Sequence, residues 1–117
     1  MEFRILGPLE VVEDGQALDL GGAKQRALLA VLLLHPNQVV SRDRLIDALW
    51  EENPPNTAEK ALQVHVSKLR KQLGRDRIVT KTPGYAIRVD QDELDIGRFE
   101  RLVEEGGRRL GSFHRSL

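Results

Sequence analysis

The segment Thr57–Leu73 constrains this chain more than any other stretch. At about 100° per residue, Ala58, Leu62, Val66, Leu69 and Leu73 fall on a single stripe, as a helix packed on a core requires. The opposite side presents Lys60, Val64, Ser67, Lys68 and Lys71, with Gln63 at its margin. Asn56 or Thr57 is placed to cap this helix, and Glu59 suits the positive end of its dipole. Gly74 supplies the left-handed stop. Such a helix spans ~25 Å and offers one whole face to a partner.

The charge distribution says which partner that face suits. Lysine plus arginine and aspartate plus glutamate number 18 each, so the total argues for nothing. Residues 60–88, however, carry eight basic side chains against the single Asp76, whereas residues 1–59 carry five basic and ten acidic ones. A field concentrated on one helix and the segment after it fits a polyanion, although lysines and arginines also solvate ordinary surfaces. The 117 residues have room for one domain with a real core. The longest apolar stretch, Ala27–Leu34, is too short to span a membrane, and Met1-Glu2-Phe3-Arg4 lacks the features of a secretory signal. With zero cysteines, neither a disulfide framework nor a thiolate metal site is expected. A cytoplasmic, nucleoid-associated protein fits these features.

The remaining elements read in order along the chain. Phe3–Leu6, Leu9–Glu13 and Gln16–Leu20 suggest a small antiparallel sheet, with Asp14-Gly15 as a two-residue hairpin turn. Ala23–Leu34 reads as a helix whose second half is apolar all round and so belongs at the centre of the domain. Pro36 ends it, and Val39-Val40 offers a short bridge to the sheet. Ser41 then caps a second helix, Arg42–Trp50, with Leu45, Ile46 and Leu49 on its apolar side. After the third helix, Ile78–Lys81 and Tyr85–Val89 form a hairpin through Thr82-Pro83-Gly84, alternating as a half-buried hairpin does. From about Asp95 a fourth helix is expected, with Ile96, Phe99, Leu102 and Val103 on one side. The fold class is therefore α+β: a winged helix-turn-helix with an N-terminal antiparallel sheet, three helices and a C-terminal hairpin, plus one extra C-terminal helix. The domain boundary falls after residue 90.

Read residue by residue, the outward face of the third helix suits DNA. Ser67 and Gln63 can donate to or accept from base edges, and the lysines can meet phosphates. Val64 points almost directly away from the core. An exposed valine on a solvated helix means nothing, but in a major groove it packs on a thymine methyl. Arg70 and His65 lie at the edges of the apolar stripe, where side chains reach sideways to phosphates, as does Thr57 at the helix start. His65 is equally compatible with simple packing, and no metal-ligand spacing surrounds it. Lys81 and Thr82 sit at the hairpin tip, within reach of a minor groove, though an edge-strand lysine also serves solubility. Tyr85 could place its hydroxyl on a phosphate with its ring in the core, and Trp50 has the same dual character. No nucleophile, base and orienting group assemble, so neither an enzyme nor a cofactor is expected. The rival to DNA is an acidic protein partner for the basic helix.

Phe3–Val11, Lys24–Ala30, Leu45–Trp50, Val64–Arg70 and Pro83-Gly84-Tyr85 together resemble the Streptomyces antibiotic regulatory protein family. Its N-terminal part is similar to the OmpR/PhoB winged helices. The resemblance implies a sequence-specific transcriptional activator that binds direct repeats as a monomer or dimer, upstream of biosynthetic or regulatory genes. It implies phosphate contacts from Trp50, Lys60, His65, Ser67 and Tyr85, base contacts from Val64 and Lys68, and a minor-groove contact from Lys81. It also implies that the loop Glu51–Pro55, with Glu51, Glu52 and Asn53, faces RNA polymerase. Asp95–Val103 resembles the first helix of a following all-helical activation domain. Where related winged helices often carry arginine, this chain has Ser67, Lys68 and Lys81, and lysine meets guanine as a point charge, without the two-pronged grip of arginine.

Overall fold

The computed structural model describes residues 1–51 and 53–95. Three N-terminal strands, β1 (Glu2–Arg4), β2 (Glu10–Glu13) and β3 (Gln16–Ala17), form an antiparallel sheet in that order. Glu13 pairs with Gln16, leaving Asp14 and Gly15 as the two loop residues, both at positive φ (52° and 80°). This is the backbone that an Asp-Gly hairpin turn demands. Phe3 and Val11 stand opposite each other on the inner face and are fully buried.

Helix α1 (Ala23–Leu34) packs against both α2 (Arg42–Trp50) and α3 (Ala58–Leu73). Leu28, Leu29, Leu32 and Leu33 are fully buried, so α1 is the central helix. It is not apolar-packed all round, however: Leu34 is 63% exposed, because the helix ends there and its last turn clears the core. Ser41 caps α2, its hydroxyl accepting from the Arg44 N–H at 3.1 Å. Helix α3 starts at Ala58 with Thr57 as N-cap residue, but the Thr57 side chain makes no capping bond. It stops at Gly74 (φ 100°), whose N–H donates to the Arg70 carbonyl.

The second sheet has the order β4-β6-β5, with β4 (Val40–Ser41), β5 (Ile78–Lys81) and β6 (Gly84–Ile87) all antiparallel. Two sequence expectations change here. The Val39-Val40 region does not join the N-terminal sheet; Val40 pairs with Tyr85 in the hairpin sheet. Consequently β6 is a central strand, buried at all four positions, and β5 runs from buried Ile78 to exposed Thr80 and Lys81, so the expected half-buried alternation holds in neither strand. The hairpin loop is the two residues Thr82-Pro83, and the peptide bond between them is cis.

The packed unit continues past residue 90. A 3₁₀ turn, Gln91–Glu93, leads to Leu94, which is buried and bridges Phe3 in parallel. The Asp95 carboxylate then accepts from the N–H groups of Ile5 and Leu6 at 2.8 and 3.0 Å. Arg77 and Glu93 form a two-pronged ion pair (2.6 and 2.5 Å), and the Arg77 guanidinium lies 5.5 Å from the Phe3 ring. The expected fourth helix, with Ile96, Phe99, Leu102 and Val103, lies outside the described residues.

The hydrogen bonds from Arg77 are the main cause that holds the Glu93 carboxyl down to about 2. Because that value lies below the usual carboxylate range, the pair stabilises the fold at neutral pH. Its contribution begins to fade as the pH drops through about 4.5 and is gone below about 2. Acid titration of the unfolding free energy should show a loss of about 1–2 kcal/mol across that window, once solvent screening of a partly exposed pair is allowed for. Glu93→Gln should flatten the same window. An unchanged acid profile in the variant would show that another group carries the effect.

Candidate nucleic-acid interface

Burial on α3 divides as the stripe requires. Ala58, Leu62, Val66, Leu69 and Leu73 are buried, and Lys60, Gln63, Val64, Ser67, Lys68 and Lys71 are exposed. Val64 is 50% exposed, one of the few large apolar side chains among the described residues that stand exposed. The readers and cations singled out from the sequence thus share one outward face. Fixed by five buried anchors beneath, they form a rigid array.

At one edge of this face stand Trp50 and His65. Their ring centroids are 6.1 Å apart at 42°. Lys24, from the first turn of α1, places its ammonium 5.1 Å from the Trp50 ring centroid and donates to the Leu49 carbonyl at 2.9 Å. His65 Nδ1 is buried without a hydrogen-bond partner among the described residues. A bare lone pair in that position costs less than a bare N–H, which favours the tautomer with its proton on Nε2. Burial, then the nearby charges of Lys68 and Lys24, pull the imidazole below its ordinary value, so the ring is a neutral donor at pH 7.

At the other edge, Arg70 is committed within the chain. Its Nε donates to the Ile78 carbonyl and its Nη2 to Thr80 Oγ1, both at 2.9 Å. Arg70 therefore clamps the hairpin to α3, and only what remains of its guanidinium is available to a phosphate. Tyr85, 4% exposed, is flanked by the guanidiniums of Arg42 (5.9 Å) and Arg70 (6.0 Å). Its ring is core, as expected. Lys81 and Thr82 are exposed at the hairpin tip. Thr57 is exposed at the start of α3, and Glu51 and Asn53 are exposed in the loop before it. Glu52 lies outside the described residues.

Lys24 and Arg42 were not among the sequence candidates. Lys24 is 25 residues from the carbonyl it caps, and only the packing of α1 on α2 brings them together. Arg42 carried a weak local signal, as the first residue after a cap. Its N–H donates to the Pro83 carbonyl at 3.1 Å, which ties α2 to the hairpin loop. Among the described residues no group of three or more metal-ligating side chains occurs, and no helix is long and apolar enough to cross a membrane.

A helix-turn-helix whose second member presents a basic, polar face, followed by a hairpin clamped to it, defines the winged-helix class of regulator domains. The comparisons agree. Residues 15–87 match the family described as "Transcriptional regulatory protein, C terminal". The regulatory protein AfsR of Streptomyces griseus is 38% identical across 90% of this chain and 11% of its own length. The transcriptional regulatory protein MoaR1 of Mycobacterium tuberculosis is 40% identical across 91% of this chain and 36% of its own length. A solved structure of Mycobacterium tuberculosis EmbR, in complex with a low-affinity phosphopeptide, superimposes with a TM-score of 0.88 at 39% identity, covering 92% of this chain and 30% of that one. The DNA-binding domain of CpxR from E. coli follows with a TM-score of 0.54 at 32% identity, covering 64% of this chain and 78% of that one. The chain belongs to the OmpR/PhoB-type winged-helix family of transcriptional regulator DNA-binding domains, in its Streptomyces antibiotic regulatory protein branch. It spans less than half the length of the curated relatives it matches.

Proposed function

We propose that this chain binds double-stranded DNA sequence-specifically, with α3 in a major groove and the β5–β6 hairpin over the neighbouring minor groove. The exposed face of α3 carries this reading: Val64 and Lys68, with Gln63 and Ser67 beside them, stand opposite the buried stripe. Val64 packs on a thymine methyl, Gln63 and Ser67 hydrogen-bond base edges, and Lys68 offers its charge to a guanine or thymine acceptor. Lys60, Lys71, Trp50, His65, Thr57 and Tyr85 hold the backbone, with a share from Arg70, while Lys81 and Thr82 reach the minor groove. At the scale of the gene, the chain is part of a cytoplasmic activator that binds direct repeats in promoters as a monomer or dimer. Its exposed loop at Glu51 and Asn53 is turned to RNA polymerase.

Val64→Ala tests the base-reading assignment. It should cost ~1–3 kcal/mol at one A·T step and nothing on random duplex, measured by titration of site variants. A uniform loss on every sequence would remove Val64 from the readers. The acidic-protein alternative uses the same basic face but predicts no preference between DNA sequences at all.

A further inference from the structure

From the packing of Lys24, Trp50 and His65 we infer that Lys24, on α1, is a positioning residue for the phosphate-contact edge of α2 and α3. This deepens the DNA-binding reading and rests on it. Three observations carry it. The Lys24 ammonium is held at both ends of its reach, by the Leu49 carbonyl at 2.9 Å and by the Trp50 ring at 5.1 Å. The carbonyl it takes is one that the last turn of α2 leaves without an intrahelical donor, so the bond fixes the residue pair that ends the helix. Trp50 in turn lies against His65, whose Nδ1 has no partner among the described residues to hold the ring in place. The imidazole orientation therefore depends on the indole, and the indole on Lys24.

The assignment gives Lys24 a role distinct from that of the other lysines. Its ammonium is spent inside the chain, whereas Lys60, Lys68 and Lys71 are exposed. A lysine that touches phosphate releases counterions, and its loss lowers the salt slope of binding by ~0.9. One that acts through a neutral Trp50–His65 pair changes affinity without changing the slope.

The chain has a single tryptophan, so Trp50 fluorescence reports on this site alone. In the full chain, Lys24→Met should shift Trp50 emission in the absence of DNA. It should weaken binding of a 20-base-pair duplex about tenfold for all sequences, with the salt slope unchanged. Lys24→Arg, which keeps both the cation and a donor for Leu49, should recover emission and affinity. In a Trp50→Leu background Lys24→Met should cost little more, since the route through the indole is already gone. The double-mutant comparison also separates this mechanism from a general loss of folding, which would add to the Trp50→Leu effect. A slope that falls by ~0.9 would make Lys24 a direct phosphate contact and overturn the inference. So would unchanged emission, or full additivity with Trp50→Leu. Failure of the unsubstituted chain to bind any duplex would instead remove the DNA-binding reading, while the emission shift would still stand or fall separately.

Discussion

Gly84→Ala should unfold this domain or come close to it. A Cβ on Gly84 would stand 1.8 Å from the Val40 carbonyl oxygen and 2.8 Å from Ser41 Cα. Both are backbone atoms, so no side-chain rotation relieves the clash. The demand here is for close approach of two strands, since Gly84 has no positive φ. To admit a methyl, β4 must leave β6, which removes the Ser41–Gly84 pairing and pulls at the Arg42–Pro83 backbone bond. The same movement loosens Tyr85 between Arg42 and Arg70, at the root of the wing. We expect a loss of more than about 3 kcal/mol, read as a large drop in the urea midpoint. A midpoint near that of the unsubstituted chain would mean that the β4–β6 contact is not needed for the fold.

That glycine shows where the sequence could be read and where it could not. Between Thr82-Pro83 and Tyr85 it looks like an ordinary turn residue, and the expected hairpin used it as one. Its actual neighbour, Val40, is more than forty positions away, and nothing local to either segment announces the pairing. The third helix was legible because periodicity is a local signal: five apolar positions at helical spacing name the buried face, and the remainder follows. Asp14-Gly15 was legible for the same reason, since the turn chemistry lies in the two residues themselves. Leu34 misled because an apolar side chain at the end of a helix reads like its buried neighbours, though the core has already ended there. Arg70 likewise reads as a free cation at the edge of a basic face. Its two bonds to Ile78 and Thr80 exist only once the wing is docked.

Replacing Lys60, Lys68 and Lys71 together with alanine should weaken DNA binding at 0.15 M salt by about a hundredfold. All three are exposed on the outward face of α3, and alanine is a good helix former, so stability should move by no more than about 0.5 kcal/mol. The more telling quantity is the salt dependence. With Lys60 and Lys71 each neutralising one phosphate and Lys68 meeting a base, the slope of log affinity against log salt should fall by about 1.8 in the triple variant. A variant that loses affinity with the slope intact would show that these lysines act through something other than phosphate. The acidic-protein reading fares differently: in that case the unsubstituted chain has no tight duplex binding for the triple variant to lose. Lys71 alone should weaken all sequences alike, whereas loss of Lys68 should also blur discrimination at one base step.

The central claim is that α3 reads sequence, with Val64, Ser67, Lys68 and Gln63 as readers held in register by the surrounding backbone contacts. Selection of bound duplexes from a random pool tests it most directly, because it requires no prior choice of promoter. The expected product is a single short motif, recurring as a direct repeat, bound at least about 10³-fold more tightly than unselected duplex at physiological salt. The selected motif should include an A·T step whose discrimination disappears in Val64→Ala. A pool that emerges with no shared motif, bound no better than random DNA, would contradict the claim and leave α3 as a basic surface without a code.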